Sequence, residues 1–380
     1  MVFCILHTVA ESKYESDNGM KDMRKYSVIT GTGSYIPPEL IDNKHFLNND
    51  FFNAEGGRIE KTNQAIIEKF REITEIAQRR YVTDDLLMSD IAVFSARDAL
   101  QSSGADKESL DYIIVAHNFG DVKTGNRRID VVPSIASRVK CALQIKNPDC
   151  VAYDILFGCP GWVQGVIQAD YYLKSGDAKN ILVIGAETLS RISDPHDMDS
   201  MIYADGAGAT LLEARDSAEP VGIISHKATT DAVDYAYLLK MGQSYNPEYP
   251  GNDLFLKMSG HNLYKYALKY VPGVIKATID KAGLRLEDIK KVLIHQANQK
   301  MDEAIIQRLF SMYAMNRESK EIMPMVISWL GNNSVATIPT LLDLILKKRL
   351  NNHEIKSGDN IIFASVGAGM NINAIVYRMP

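Results

Sequence analysis

Cysteine is scarce in this chain of 380 residues, and its spacing argues against several classes of protein. The four cysteines form no C-x-x-C pair and have no neighbouring histidines at the spacing of a zinc site. They are Cys4, Cys141, Cys150 and Cys159. We therefore expect neither disulfides nor a bound metal, and the pattern is typical of a protein of the reducing cytoplasm.

Long apolar runs and an excess of basic residues are also absent. No stretch of about 18 consecutive apolar residues occurs, so we predict no membrane span. The formal net charge of −5 argues against a nucleic-acid-binding protein, and an acidic partner would need a local basic patch. Residues 1–25 are polar and unpatterned, which predicts a disordered extension without the features of a signal peptide.

What the chain does contain is an internal similarity. Residues 96–116 match residues 275–295 without gaps, and residues 179–184 match residues 359–364 at nearly the same offset. Each copy of the longer segment has the pattern of a helix, a glycine stop, a short charged turn and an apolar strand. The chain also exceeds the ~250–300 residues at which a single core stops growing. We therefore predict a duplicated α/β unit, although a coincidence between two common α/β patterns would give the same match.

Cys159 occupies a position that favours a nucleophile. It follows an apolar run at 151–157, which predicts a buried strand, and precedes residues 160–173, which are apolar nearly all round at helical spacing. Pro160 suits the first position of that helix, and Gly176 supplies its end. A thiol at a helix N-terminus is stabilised as a thiolate by the helix dipole and by unpaired N–H groups. The alternative is a small buried cysteine that only fills space.

Two further polar residues are expected beside Cys159 if the halves are related. His295 closes the strand that corresponds to the strand ending at Ala116. Asn332 lies in the loop after a second apolar strand at 325–327, and this loop corresponds to the Cys159 loop. All three residues would then stand at strand ends on one side of a two-part sheet assembly, where α/β folds bind ligands. Taken singly, His295 is typical of a structural histidine and Asn332 of any turn.

Seven short segments carry a resemblance to a known family. In chain order they are 28–37 (VITGTGSYIP), 158–162 (GCPGW), 174–191, 204–209 (ADGAGA), 295–298 (HQAN), 331–334 (GNNS) and 365–369 (SVGAG). Each is weak alone, but in this order and spacing the chain from Tyr26 onward resembles the β-ketoacyl-acyl carrier protein synthase III family of thiolase-like condensing enzymes. The resemblance implies a thiolase-like α/β fold with two duplicated halves, spanning residues 26–214 and 215–380, in a layered α-β-α-β-α architecture.

The same resemblance assigns roles to individual residues. Cys159 would be the nucleophile that accepts an acyl group from a thioester. His295 and Asn332 would donate hydrogen bonds to the enolate that forms when malonyl-acyl carrier protein loses carbon dioxide, without abstracting a proton. The backbone N–H groups of Cys159 and Ala368 would hold the second oxyanion. The implied reaction is a decarboxylative Claisen condensation that yields a β-ketoacyl thioester and uses no metal or redox cofactor.

An acyl carrier protein is the partner that this reaction implies, and basic residues are placed to attract it. Lys265, Lys269 and Lys276 fall within about 40° of one another on a predicted helix at 261–282. The alternative for this lysine stripe is a solvated helix face. The resemblance further implies a homodimer.

The chain departs from the family pattern where substrates would enter. By resemblance, Asn298 contacts the pantetheine arm and Lys300 lies near the tunnel mouth. Glu75, however, stands where the family has the glycine of a Thr-Gly-Ile turn, and no tryptophan lies upstream to stack on the adenine of coenzyme A. The first donor is therefore either acyl-coenzyme A or an acyl carrier protein. Residues 370–373 also differ from the family, which predicts a different acyl length or branching.

Three other functions fit parts of the sequence. A related ketosynthase of secondary metabolism would condense a longer acyl or β-ketoacyl group, as resorcinol-forming relatives do. A Cys-His-Asn hydrolase would use the same residue types, but it does not explain the duplicated α/β layout. A non-catalytic partner subunit of a condensing pair would have no need for an activated thiol.

Overall fold

The computed structural model describes residues 23–380. Nearly all of the extension expected at 1–25 lies outside the described residues, and the first strand begins at Arg24. The strands are β1 (Arg24–Tyr35), β2 (Glu39–Asp42), β3 (Gln78–Tyr81), β4 (Tyr112–His117), β5 (Asp121–Lys123), β6 (Asn126–Asp130), β7 (Val151–Leu156), β8 (Asn180–Thr188), β9 (Asp205–Ser217), β10 (Gly222–Thr230), β11 (Leu239–Gly242), β12 (Phe255–Met258), β13 (Ile289–Ile294), β14 (Asn360–Gly367) and β15 (Asn371–Arg378). The helices are α1 (Asn63–Thr74), α2 (Met88–Ser103), α3 (Ile135–Ala142), α4 (Gly161–Ser175), α5 (Ala232–Tyr235), α6 (Gly260–Lys281), α7 (Gln299–Met312), α8 (Ile327–Leu330) and α9 (Thr337–Leu346).

Two mixed sheets with matching strand order form the body of the fold. The first has the order β1-β9-β8-β4-β7 and the second has the order β10-β15-β14-β13. In the first sheet β4 and β8 are parallel, and β8 with β9 and β9 with β1 are antiparallel. The second sheet repeats this pattern, with β13 and β14 parallel and with β14–β15 and β15–β10 antiparallel. Strands β4 and β13 are the apolar strands of the predicted repeat, so the duplication is confirmed. Strand β9 ends at Ser217 and so runs past the half boundary predicted at 214.

Helices α4 and α9 form the layer between the two sheets. Most residues of both helices are buried, as expected for helices that are apolar nearly all round. Trp162 of α4 meets Phe363 of β14 edge-on, with ring centroids 5.4 Å apart. Helices α2 and α3 cover the outer face of the first sheet, and α6 and α7 cover that of the second. The order of layers is therefore α-β-α-β-α, as the sequence predicts.

Two strand predictions are corrected by the structure. Strand β7 has the expected position in the chain, but it is the edge strand of the first sheet, and its Val151 and Leu156 side chains are 48% and 67% exposed. Residues 325 and 326 are not in a strand, and Ile327 begins helix α8, so within residues 23–380 the second sheet has no counterpart of β7. An apolar run does not reveal which strands pair with it, and this is why both predictions were wrong.

The helices near the predicted site begin and end close to their expected positions. Helix α4 begins at Gly161, with Pro160 as its N-cap rather than its first helical residue. It ends at Gly176, whose φ of +86° is a left-handed conformation that glycine adopts without strain. Helix α6 covers the predicted 261–282 segment to within one residue. No helix within residues 23–380 is long and apolar enough to cross a membrane.

Candidate active site

A small chamber brings together the residues that the sequence singles out. It has a volume of about 50 Å³, and Cys159, His295, Asn332 and Ala368 all line it. Cys159 comes from the first half of the fold, at the start of α4, and the other three come from the second half. The spatial convergence expected from the duplication is therefore present, and the catalytic roles stay predictions.

The Cys159 thiol does not have the low pKa expected from its place before a helix. Burial raises the pKa of this thiol to about 11, and the charge of Glu187 acts in the same direction. A hydrogen bond from the Ser334 hydroxyl, with Oγ 3.5 Å from Sγ, lowers the pKa but does not outweigh burial. Loss of water around the sulfur therefore opposes the thiolate that the sequence position favours.

His295 enters the chamber as a neutral imidazole. Its backbone N–H donates to the Ala364 carbonyl at 2.9 Å, which extends the pairing of β13 with β14 by one residue. The side chain is only 4% exposed, and burial lowers its pKa to about 4 against a smaller opposing interaction with the Ser334 backbone. Nδ1 has no hydrogen-bond partner in the described part of the chain. A neutral imidazole carries one N–H, so His295 is able to donate one hydrogen bond to a bound oxyanion.

Asn332 is held by its backbone on both sides. Its N–H donates to the Ile202 carbonyl at 3.0 Å, and its carbonyl accepts the Ala204 N–H at 2.8 Å. These two hydrogen bonds form an isolated parallel β-bridge between Asn332 and Tyr203. The side-chain Oδ1 accepts the backbone N–H of Ser334 at 2.9 Å. Because the carbonyl oxygen of the amide is occupied there, the NH₂ group is the part of Asn332 available to a ligand, as the predicted donor role requires.

Glycine lets the backbones of the two halves approach beside Ala368. A Cβ on Gly158 would lie 2.9 Å from the Ala368 nitrogen, and a Cβ on Gly367 would lie 2.7 Å from the Cys159 nitrogen. Both distances are shorter than side-chain carbons tolerate, so neither position accepts alanine without movement. The nitrogens of Cys159 and Ala368, predicted to form the oxyanion hole, are thus brought to the same end of the chamber.

Three polar residues of this region were not assigned by sequence reasoning. Asn118 follows β4, Glu187 lies in β8, and Ser334 follows Asn332 by two residues. Asn118 and Ser334 line the chamber, and Glu187 hydrogen-bonds to Asn118. Asn118 and Glu187 could have been noticed as polar residues at or near the ends of apolar strands. Chain position alone, however, does not show that β4 and β8 are neighbours in the sheet.

A larger cavity of about 570 Å³ adjoins the chamber. It lies between α1, α6, α7 and residues 198–202, and it shares Met258, Leu263, Ala297 and Met301 with the chamber wall. Asn298 lines this cavity as expected for a substrate contact, and its Oδ1 also caps α7 by accepting the Met301 N–H at 3.1 Å. The chamber that contains Cys159 and the larger cavity are therefore neighbours with part of one wall in common.

The predicted basic residues are only partly available to a partner. Lys265, Lys269 and Lys300 are exposed, but Lys276 pairs with Asp280 at 2.7 Å, which neutralises one member of the stripe. Lys269 Nζ lies 4.8 Å from the centre of the Tyr270 ring. Neither Lys265 nor Lys300 is among the residues that line the two cavities, so both stay predictions as docking residues at the surface.

Comparisons with known proteins support the family resemblance and the fold. The family model for 3-oxoacyl-(acyl-carrier-protein) synthase III matches residues 153–232, and the model for its C-terminal domain matches residues 279–379. The chain is 28% identical to the synthase III of Aquifex aeolicus, with 93% of this chain and 99% of that chain covered and a TM-score of 0.74. The synthase III of Thermus thermophilus gives the same identity and coverage with a TM-score of 0.75. A priming β-ketosynthase of a polyketide pathway, 23% identical with 95% and 98% coverage and a TM-score of 0.75, shares the fold.

The fold and the two domain models define the class of protein. The chain is a thiolase-like condensing enzyme. Within that class, it belongs to the 3-oxoacyl-(acyl-carrier-protein) synthase III family.

Proposed function

We propose that this protein condenses an acyl group, bound to Cys159, with malonyl-acyl carrier protein to give a β-ketoacyl thioester. One observation carries the proposal. A thiol, a neutral imidazole and a carboxamide NH₂ group, from distant parts of the chain, line a single chamber of about 50 Å³. Such a set provides a nucleophile and two hydrogen-bond donors, which acyl transfer followed by enolate formation requires.

In the first step the Cys159 sulfur attacks the carbonyl carbon of an acyl thioester. The carbonyl oxygen becomes an oxyanion, which the N–H groups of Cys159 and Ala368 stabilise. As the intermediate collapses, the donor's thiolate leaves and takes up the proton that Cys159 has lost. Because the pKa of the resting thiol is about 11, that proton must leave as the substrate binds or as attack begins.

In the second step the malonyl carboxylate leaves as carbon dioxide, and its electron pair forms a thioester enolate. His295 and Asn332 donate hydrogen bonds to the enolate oxygen, which lowers the barrier without proton abstraction. The enolate carbon then attacks the acyl carbonyl, and the Cys159 thiolate is released. Decarboxylation supplies the electron pair for the new bond, so this reaction calls for no metal or redox cofactor.

The partner and the route of entry follow from the same chemistry. The 570 Å³ cavity, which shares four wall residues with the chamber, is the proposed path for the pantetheine arm. Exposed Lys265 and Lys300 are the proposed contacts for an acidic carrier protein in the cytoplasm. The first donor is acyl-coenzyme A or an acyl carrier protein.

A second candidate is a ketosynthase of secondary metabolism that accepts a longer acyl group. The observation that favours it is the departure of residues 370–373 from the family pattern, directly after the Ala368 turn that lines the chamber. The similarity in fold to a priming β-ketosynthase of a polyketide pathway supports the same candidate. A hydrolase would instead deliver water to the acyl-cysteine, and this class does not share the layered fold.

We also infer that the protein is a homodimer that pairs through β7. Among residues 23–380, β7 has a hydrogen-bonded neighbour only on the β4 side. Its exposed Leu156 lies on an edge that a second copy would cover.

Intact-mass measurement after incubation with acyl donors tests the main proposal. We expect a mass gain with the true donor, and no gain when Cys159→Ser is treated in the same way. Acetyl, branched and medium-chain acyl groups, each on coenzyme A and on a carrier protein, would identify the donor and the chain length. The absence of any adduct across this set would overturn the proposal, whereas an adduct discharged by water alone would favour a hydrolase.

A further inference from the structure

A row of hydrogen bonds connects a buried acid to the nucleophile. Glu187 in β8 is 1% exposed, and its Oε2 accepts the backbone N–H of Asn118 at 2.9 Å and also the Asn118 side-chain amide. The same amide nitrogen, Nδ2, lies 3.1 Å from Ser334 Oγ. Ser334 Oγ in turn lies 3.5 Å from Cys159 Sγ. None of these three residues belongs to the thiol, imidazole and carboxamide set.

The chemistry of each group fixes the direction of these bonds. An amide NH₂ group has two hydrogens and no acceptor capacity, so Asn118 donates one hydrogen to Glu187 and one to Ser334. Above the Glu187 pKa of about 7 the Asn118 amide is not free to turn over, because its carbonyl oxygen would then face an ionised carboxylate. Since Ser334 Oγ accepts from Asn118, its single hydrogen is left for the Cys159 sulfur.

The backbone of Ser334 is held as firmly as its side chain. Its φ of +52° lies in the left-handed region, which is unfavourable for a residue with a Cβ. The bond from its N–H to Asn332 Oδ1, at 2.9 Å, retains this conformation. Ser334 therefore connects the predicted nucleophile with the predicted enolate donor.

We propose that Ser334 donates a hydrogen bond that stabilises the Cys159 thiolate, and that Asn118 and Glu187 are positioning residues that fix its direction. The proposal deepens the condensing function, and it rests on that function only for its catalytic consequence. A thiolate in this chamber has little water to solvate it, so a fixed donor within the protein takes the place of water.

Other titratable groups face the same atoms and have to be kept constant in any test. Tyr203 and His295 line the chamber with the thiol, and the charge of Glu187 opposes thiolate formation. His117 and Asp205 face Glu187, with opposite effects on its pKa. Variants that preserve all five groups separate the effect of hydrogen-bond direction from the effect of charge. Ser334→Ala meets this condition, whereas Asn118→Leu also removes a side-chain hydrogen bond that lowers the pKa of Glu187.

The test is the rate at which iodoacetamide alkylates Cys159 between pH 6 and pH 10, followed on the Cys159 peptide by mass spectrometry. Reading that peptide alone excludes the exposed Cys141 from the rate. We expect Ser334→Ala to slow alkylation about three- to tenfold near neutral pH and to move the pH profile upward by about one unit. Ser334→Thr keeps the hydroxyl and is expected to restore most of the rate.

The role of Asn118 is tested by a double-mutant cycle. Asn118→Leu should slow alkylation more when Ser334 is present than in the Ser334→Ala background, because the part of its effect that acts through the hydroxyl is lost in that background. Thr337→Val is the matched control, since Thr337 Oγ1 donates to Asn333 Oδ1 at 2.8 Å and to the Ser334 carbonyl at 3.0 Å but does not touch the side chains of the row.

Two outcomes would overturn the proposal. One is an unchanged pH profile in folded Ser334→Ala, and the other is an equal effect of Asn118→Leu in both backgrounds. If Ser334→Ala does not fold, the profile of Asn118→Leu against the parent and the Thr337→Val control decides the question alone. Alkylation needs neither acyl donor nor malonyl carrier, so a failure of the condensing function leaves this result interpretable.

Discussion

A Cβ placed on Gly158 would lie 2.9 Å from the backbone nitrogen of Ala368. Gly158 also has a φ of +67°, so a side chain there would be strained by its own backbone as well as by its neighbour. The turn that presents Cys159 and the turn that presents Ala368 are therefore in contact through glycine. Their separation sets the width of the predicted oxyanion hole.

Gly158→Ala is expected to slow acylation of Cys159 by about 100-fold or more, the usual effect of losing an oxyanion donor. The rate of mass gain with the true acyl donor measures it. Gly176→Ala is the matched control, since its φ is also positive, at +86°, but nothing lies within 4 Å of its added Cβ. That control should lose stability and keep its acylation rate. Acylation of Gly158→Ala at the rate of the parent protein would contradict the proposed role of Ala368.

His295→Ala and Asn332→Ala separate the two steps of the proposed reaction. Each variant should still form the acyl-Cys159 adduct, because neither side chain is assigned to the acyl carbonyl. Asn332→Ala should form it more slowly than His295→Ala, since it also loses the bond that holds Ser334. Each should fail to release carbon dioxide from malonyl-acyl carrier protein, because the enolate loses a donor. Labelled malonyl carrier measures release of carbon dioxide and intact mass measures acylation. Normal decarboxylation by both variants would show that the enolate is held elsewhere.

The buried carboxyl of Glu187 should make folding stability depend on pH. Burial raises its pKa from 4.5 to about 7, so the folded state holds the proton more tightly than the unfolded state. The stabilisation is complete below pH 4.5 and is lost as pH rises through 7. A shift of this size corresponds to about 3 kcal/mol, at about 1.4 kcal/mol per unit.

Glu187→Gln has no such proton to lose, so its free energy of unfolding should fall less between pH 5 and pH 8 than that of the parent. Urea titrations at both pH values provide the comparison. Parallel pH dependence in the two proteins would mean that Glu187 is ionised in the folded state throughout this range.

Glu75 is expected to cost stability at the end of α1. It is the C-cap of that helix and has a φ of +63°, where the family pattern has glycine. Glu75→Gly should therefore raise the free energy of unfolding by about 1 kcal/mol. Arg71→Gly, in the exposed interior of the same helix, should lower it by about 1 kcal/mol. Denaturant titration tests both, and a loss of stability in Glu75→Gly would imply a contact of the glutamate that outweighs the strain.

Leu156→Lys should disrupt the proposed dimer. A buried lysine at the paired edge would leave an unpaired charge, while the folded monomer would have the lysine in water. Light scattering after size exclusion should change from dimer to monomer mass. Leu40→Lys, on the separate strand β2, introduces the same charge at another exposed leucine and should leave the mass unchanged. A parent protein that is monomeric at micromolar concentration would refute this interface.

The sequence predicted the duplicated fold and the convergence of Cys159, His295 and Asn332, because both follow from order along the chain. The same strand pattern in each half places His295 and the loop after β4 at corresponding edges. Asn332 follows α8 rather than the predicted strand, and it is held by its backbone bridge to Tyr203. The raised pKa of Cys159 was beyond this reasoning, because it depends on how completely remote residues such as Tyr203 and Leu256 exclude water.

The contacts of Asn118, Glu187 and Ser334 were missed for a related reason. They lie near the ends of separate elements, and their contact depends on which strands are neighbours in the sheet. The exposure of β7 was missed because a strand at the edge and a strand in the middle of a sheet have the same apolar composition. Adjacency in space, rather than local pattern, was the missing information in each case.

The backbone bridge between Tyr203 and Asn332 fastens the half that supplies the sulfur to the half that supplies the amide. Neither half contains all residues of the proposed centre, so in this proposal the duplicated units are complementary rather than redundant. Fragments produced by cutting the chain between the halves would each be inert, and turnover would return only when the two pieces reassociate.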